Sequence, residues 1–279
     1  MKQDMLHIYR NTPFGRETLL QSIYFSKLLD LKLHIYVPDQ KKFLMYFEQE
    51  AIQIDLDSSY LKDLKNARKN LEDIMSEMGK TAFFYRPKGY TASNLPDISS
   101  NFSFMCCPRA ISDLSSKISL GHIGSKVRKI LLSAAFPVLI PSQVFKKWNS
   151  ITIMFGGSIN GIKALQLGLK VSKYSDLPLD IFTHSQSRER QEYEQILADR
   201  GLLDAVNKNV RKWHFFDQGN FSNNLFAVPH DSMVIMGLFG HGLVKDIFFG
   251  STMELVQSTL PNNLLLVGPH FQRHRWYYD

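Results

Sequence analysis

Short apolar runs alternate along the chain with longer amphipathic stretches. Leucine and methionine positions between Leu61 and Met78 follow helical spacing, and Gly79 then stands at a suitable C-cap position. Strands separated by helices predict a parallel sheet covered on both faces, and right-handed crossovers make such a sheet doubly wound. The apolar runs interpreted as strands are residues 6–9, 33–37, 82–85, 102–106, 137–140, 151–155, 179–183, 210–216, 233–236 and 263–267.

The chain contains an internal repeat. Residues 26–36 match residues 172–182, a separation of 146, and Gly124-Ser125 matches Gly250-Ser251, a separation of 126. The difference gives the first copy 20 extra residues, which we expect around 38–57. The predicted fold class is therefore α/β, with two tandem doubly wound domains that each hold a five-stranded parallel sheet. The expected domains are residues 1–145 and 146–279.

Composition narrows the functional classes. Hydrophobic residues make up 44% of the chain and charged residues 21%, as in an ordinary globular protein. The net charge of +7 is spread in short runs, so we expect no nucleic-acid partner. No apolar run approaches the ~18 residues of a membrane helix, so we expect no membrane partner. Cys106 and Cys107 are adjacent and fit buried strand residues of a cytoplasmic protein, and no spacing suggests a metal site.

The candidate chemistry lies after the strand that ends at Met236. That strand runs into a loop with Gly237 and Gly240, and a second step begins the next helix with Gly250, Ser251 and Thr252. Glycines allow a ligand to approach the backbone, and free amides with hydroxyls at a helix N-terminus form an anion site. The pattern is neither a Walker loop nor GxGxxG, and a role in turns alone stays open.

The spacing Gly237-x2-Gly240-x9-Gly250-Ser251 resembles the nucleotide-binding signature of the universal stress protein family. The resemblance spans nearly the whole chain and implies ATP or AMP as the ligand. It implies that Met236 and Gly237 contact the ribose side, and that the phosphates are cradled by Gly240, Gly250, Ser251 and Thr252. Binding members usually carry an Asp just after the first strand, where this chain has Gly156.

The first copy departs further from that signature. Ile111 and Leu114 occupy the positions of the first two glycines, and only the step Gly124-Ser125 remains. We expect this copy to bind no nucleotide and to serve in packing and partner contact. The basic and aromatic segment at residues 270–278 is expected to dock on the body of the protein.

These observations give two functional hypotheses. The first is a cytoplasmic stress-response or regulatory protein that binds ATP or AMP through its second domain. The alternative is an interaction module that binds no nucleotide and acts on a protein partner or as a homodimer. Hydrolysis of ATP would need a general base or a metal-binding carboxylate near the glycine loop, and Asp246 is the only acid within that loop. No catalytic residue is therefore predicted.

Overall fold

The computed structural model describes residues 3–89, 94–111, 123–185, 187–238, 255–256 and 258–272. The chain forms two compact units. The first holds the described residues up to Lys146 together with those from His270 to Gln272, and the second extends from Lys147 to Pro269.

The first unit is built on a parallel sheet with the strand order β8-β7-β1-β2-β5. Its elements are β1 (Asp4–Ile8), α1 (Pro13–Leu28), β2 (Lys32–Tyr36), β3 (Lys42–Tyr46), β4 (Ala51–Asp55), α2 (Leu64–Glu77), β5 (Phe83–Phe84), β6 (Asp97–Ser99), β7 (Phe104–Cys106), α3 (Ser125–Ser133) and β8 (Val138–Ile140). Strands β7 and β8 are buried along their whole length, as the continuous apolar runs predict.

The extra residues of the first copy contribute two of the three strands of a small second sheet. Strands β3 and β4 make an antiparallel hairpin, and β6 adds to β3 in parallel. The hairpin alternates buried and exposed positions, with Phe43, Met45, Ile52 and Ile54 turned to the interior. The predicted insertion around residues 38–57 is therefore confirmed, and its exit leads the chain to Asp57.

The helix boundaries follow their capping residues. Thr12 caps α1, because its hydroxyl accepts a hydrogen bond of 3.1 Å from the Gly15 amide. At the end of α2, Gly79 takes a φ of +62°, and the Lys80 amide donates to the Met75 carbonyl at 2.9 Å. This pairing is a Schellman motif, so the predicted C-cap role of Gly79 is confirmed.

The second unit repeats the plan with the strand order β11-β10-β9-β12-β13, again parallel throughout. Its elements are β9 (Ser150–Met154), α4 (Ile159–Ser175), β10 (Leu179–His184), α5 (Arg190–Ala198), α6 (Leu203–Asn209), β11 (Val210–Phe216), α7 (Phe221–Asn224), β12 (Ser232–Gly237) and β13 (Leu264–Val267). Each unit orders its five strands in the same way, so the predicted fold class is confirmed. None of the described helices combines the length and the apolar composition that a membrane crossing requires.

The described part of the basic and aromatic segment lies on the first unit. The Gln272 amide donates to the Ala135 carbonyl at 3.1 Å, and its side chain donates to Glu48 at 2.7 Å. Phe271 is buried. The expected docking of this segment is therefore confirmed for His270 to Gln272, and the rest of it lies outside the described residues.

Candidate functional site

The chain reverses its direction of travel across the second sheet between β9 and β12. From β9 it moves outward to β10 and β11, then returns to place β12 on the other side of β9. Ligands of open α/β sheets bind in the crevice at the carboxyl ends of strands at such a switch point. The residues that follow Met154 and Met236 therefore form the edges of the candidate site.

One edge of this crevice is the N-terminus of α4. Ser158 caps the helix, since its hydroxyl accepts a hydrogen bond of 3.0 Å from the Gly161 amide. Asn160 is buried, and its side-chain amide donates to the carbonyl of Leu238. This bond joins the helix start to the loop that leaves β12, so both edges of the crevice are held by one side chain.

Gly237, the last residue of β12, lies against the start of α4. A Cβ atom added there would stand 2.2 Å from both the carbonyl carbon and the carbonyl oxygen of Asn160, and 2.7 Å from the amide nitrogen of Gly161. Backbone atoms at the start of a helix cannot yield easily to such a contact. Packing therefore requires a glycine at position 237, in addition to any contact with a ligand.

Gly156 presents the opposite situation. It is exposed, its backbone does not take a positive φ, and no atom comes within 4 Å of a Cβ added to it. A side chain would therefore fit at this position without strain. The position at which the resemblance to universal stress proteins implies an Asp therefore has room for one, although this chain supplies none.

The residues predicted from the sequence divide into two groups. Met236 is buried at the end of β12 and Gly237 follows it, so both lie at the switch point. The remaining four lie outside the described residues: Gly240, Gly250, Ser251 and Thr252.

A histidine marks the end of the neighbouring strand β10. The Nδ1 atom of His184 is 3.1 Å from the side-chain nitrogen of Asn224, and its ring lies 5.4 Å from that of Phe221. Partial burial lowers the pKa of His184. This ring therefore favours the neutral form and packs against the segment after β11.

The same edge of the first sheet is filled by side chains. Arg10 follows β1, and its guanidinium lies 3.3 Å from the carboxylate of Asp57 and 5.2 Å from the ring centre of Tyr60. Asp57 is buried, and its amide donates to the carbonyl of Ile111 at 3.1 Å. Ile111 is itself buried, while Leu114 lies outside the described residues.

Sequence reasoning missed this cluster. Arg10 and Asp57 are 47 residues apart, and Asp57 reaches the sheet edge only through the inserted hairpin. The insertion itself could have indicated this cluster. It ends in Asp57-Ser58-Ser59, so it places a turn with a charged residue near the ends of the strands. Asp57 caps this turn, since its carboxylate accepts a hydrogen bond of 2.8 Å from the Ser59 amide.

The two cysteines are buried, as predicted. Burial raises the pKa of Cys106 to about 12 and also raises that of Cys107, so both remain neutral thiols. Among the described residues, no group of three or more His, Cys, Asp or Glu side chains is arranged to hold a metal ion.

Comparison with known proteins gives a relative by sequence. The chain is 25% identical over 150 residues to the universal stress protein Slr1230 of Synechocystis sp. (strain ATCC 27184 / PCC 6803 / Kazusa). That alignment covers 51% of this chain and 50% of the relative, so the chain spans about half the length of the curated protein that it matches. No protein-family model matches the chain.

Solved structures give relatives by fold. A universal stress protein from Archaeoglobus fulgidus DSM 4304 aligns with a TM-score of 0.62 at 15% identity, covering 95% of this chain and 98% of that one. A putative universal stress protein from Pseudomonas aeruginosa UCBPP-PA14 aligns with a TM-score of 0.57 at 12% identity, covering 96% and 94%. The resemblance to universal stress proteins that the sequence predicts is therefore confirmed, and the structural likeness establishes the fold.

Proposed function

We propose that this chain is a cytoplasmic stress-response or regulatory protein whose second unit binds an adenine nucleotide, ATP or AMP, at the edge between β9 and β12. The observation that carries the proposal is the hydrogen bond from the Asn160 side chain to the Leu238 carbonyl, which holds the loop after Gly237 against the start of α4. The glycine signature therefore begins at the point of the sheet where ligands of this fold class bind.

The proposed contacts follow from the chemistry of the loop. Met236 and Gly237 face the ribose, and Gly240 allows the phosphates to approach the backbone. The phosphates then meet the amides and hydroxyls contributed by Gly250, Ser251 and Thr252. An anion at a helix N-terminus gains ~0.3–1 kcal/mol at an exposed site and up to ~2 kcal/mol when it is partly buried.

The missing carboxylate at Gly156 sets the expected selectivity. An Asp at that position would add a hydrogen bond to the base, and such a bond contributes ~1 kcal/mol, or about fivefold in affinity. Without it, the phosphates supply most of the binding free energy. We therefore expect GTP to compete with ATP more effectively than in proteins that keep the Asp.

Calorimetric titration with ATP tests the proposal. Wild type should bind, and Gly240→Val should lose binding because its side chain obstructs the phosphates. Gly121→Val is the matched control, since it alters a glycine of the degenerate first copy and should leave affinity unchanged. Gly156→Asp should raise the affinity for ATP about fivefold and leave that for GTP nearly constant, whereas Gly156→Ala should do neither.

An interaction module is the second candidate function, and two observations favour it. The base anchor is absent at Gly156, and the equivalent edge of the first unit is occupied by Arg10, Asp57 and Tyr60. On this hypothesis the chain acts on a protein partner or as a homodimer. No heat from wild type at millimolar ATP, together with no nucleotide released from the purified protein in mass spectrometry, would favour this function over nucleotide binding.

A further inference from the structure

The first unit contains a groove whose described lining includes neither Arg10 nor Asp57. It lies at the carboxyl ends of β2 and β5 and has a volume of about 400 Å³, within the range of small-molecule sites. Its lining includes Tyr36 at the end of β2, and Phe84 and Tyr85 at the end of β5. Two parallel strands therefore contribute three aromatic rings to one concave surface.

The rings are held in fixed orientations. Tyr36 and Tyr85 meet edge to face, with centroids 6.5 Å apart and planes at 86°. Tyr36 also meets Phe43 of the inserted hairpin at 5.5 Å. The Tyr85 hydroxyl accepts a hydrogen bond of 3.1 Å from the Ser99 amide, so β6 fixes this ring from behind. Because these aromatic rings are held in place, a planar ligand can pack against them without a change in their orientation.

The hydroxyl of Tyr36 is different from that of Tyr85. It is buried and has no hydrogen-bond partner among the described residues. Burial, with Asp39 as a second cause, raises the pKa of Tyr36, so the hydroxyl keeps its proton at neutral pH and can donate it. A buried donor without an acceptor is costly, and a ligand that supplies an acceptor removes that cost.

The rim of the groove is positively charged. Arg68 and Arg86 are exposed and line it, and the guanidinium of Arg68 lies 5.4 Å from the ring centre of Phe84. Among the described lining residues, Lys88 is also basic and Asp39 is the one acid. Guanidinium groups bind carboxylates and phosphates in a bidentate manner.

We propose that this groove binds a small aromatic anion, with the ring of the ligand against Phe84 and Tyr85 and its anionic group between the arginines and the Tyr36 hydroxyl. A neutral aromatic molecule would leave the arginines unpaired, and an inorganic anion would leave the rings uncovered. The site therefore selects for both features in one molecule. It is independent of the nucleotide proposed for the second unit.

Calorimetric titration with 1-naphthyl phosphate tests the proposal, with inorganic phosphate and 1-naphthol as the two half-ligands. Wild type should bind the complete probe more tightly than either half. Tyr36→Phe should weaken binding about tenfold, equivalent to ~1.4 kcal/mol, without lowering the melting temperature, because the removed hydroxyl has no protein partner. Arg86→Gln should weaken binding of the phosphate probe but not that of 1-naphthol.

Tyr60→Phe is the matched control. Tyr60 is also a buried tyrosine whose hydroxyl has no partner among the described residues, but it does not line the groove. This variant should bind the probe like wild type, as should Gly240→Val, which reports on the nucleotide site alone. Absence of saturable binding, equal losses in Tyr36→Phe and Tyr60→Phe, or a loss in Gly240→Val would overturn the proposal.

Discussion

Replacing His7 with glutamine should remove an acid-sensitive element from the first unit. His7 lies on β1 with a completely buried side chain, and its Nδ1 atom is 2.8 Å from the hydroxyl of Ser22. Its Nε2 atom has no partner among the described residues. The neighbouring Cys106 is a neutral thiol and offers no compensating charge, so a protonated imidazole would be a buried cation without a counter-ion.

The magnitude follows from the two pKa values. Burial lowers the pKa of His7 from 6.5 to about 3, so below pH 6.5 the unfolded chain takes up a proton that the folded chain refuses. Folding stability is therefore present above pH 6.5 and is lost progressively as the pH falls toward 3. By linkage, the loss between pH 7 and pH 5 is about 2 kcal/mol. For a unit of this size it corresponds to ~4–8 °C in melting temperature.

Hydrogen exchange measured on peptides from β1 isolates the first unit, since it reports the local opening free energy. Wild type should lose about 2 kcal/mol more than His7→Gln between pH 7 and pH 5. Ser22→Ala is the control, because it removes the hydrogen-bond partner but keeps the imidazole. It should be less stable at every pH and retain the slope of wild type. An unchanged slope in His7→Gln would refute the reasoning.

Two further predictions concern the stability of the second unit. Gly237→Ala should lower the free energy of unfolding by ~2 kcal/mol or more through its contact with Asn160, while Gly156→Ala should change it by less than ~1 kcal/mol, as thermal unfolding of the two variants will show. Arg211→Gln should cost ~1–2 kcal/mol in urea unfolding, since it leaves the buried Asp180 carboxylate without its bidentate partner, while solvent at the half-exposed Arg211 screens part of the effect. The double variant with Asp180→Asn should recover part of that loss, and no recovery would contradict the ion-pair explanation.

The fold was predictable because its strands are continuous apolar runs and because its internal repeat is visible as residues that recur at a fixed separation in the sequence. The predicted run at 210–216 coincides with β11, and the insertion within the first copy forms the β3–β4 hairpin. These signals are contained in the sequence itself, so a single chain is enough to recognise them. The C-cap at Gly79 is likewise fixed by its own neighbours.

The sites were less predictable, because they depend on pairs that only the tertiary structure brings together. The glycine pattern suggested a ligand contact at Gly237, whereas the structure adds a packing requirement from Asn160 that no local pattern contains. The Arg10–Asp57 pair and the groove at Tyr36 both depend on the inserted hairpin. A sequence gives the existence of that insertion but not the surface that it covers.

The return of the chain at His270 to Gln272 affects the order of folding during synthesis. The backbone hydrogen bond from Gln272 to Ala135 can form only after all of the second unit has been translated. The first unit therefore cannot be completed before the second unit, from Lys147 to Pro269, has been synthesised. Removing residues 270–272 should therefore destabilise the first unit, although these residues follow the second unit in the sequence.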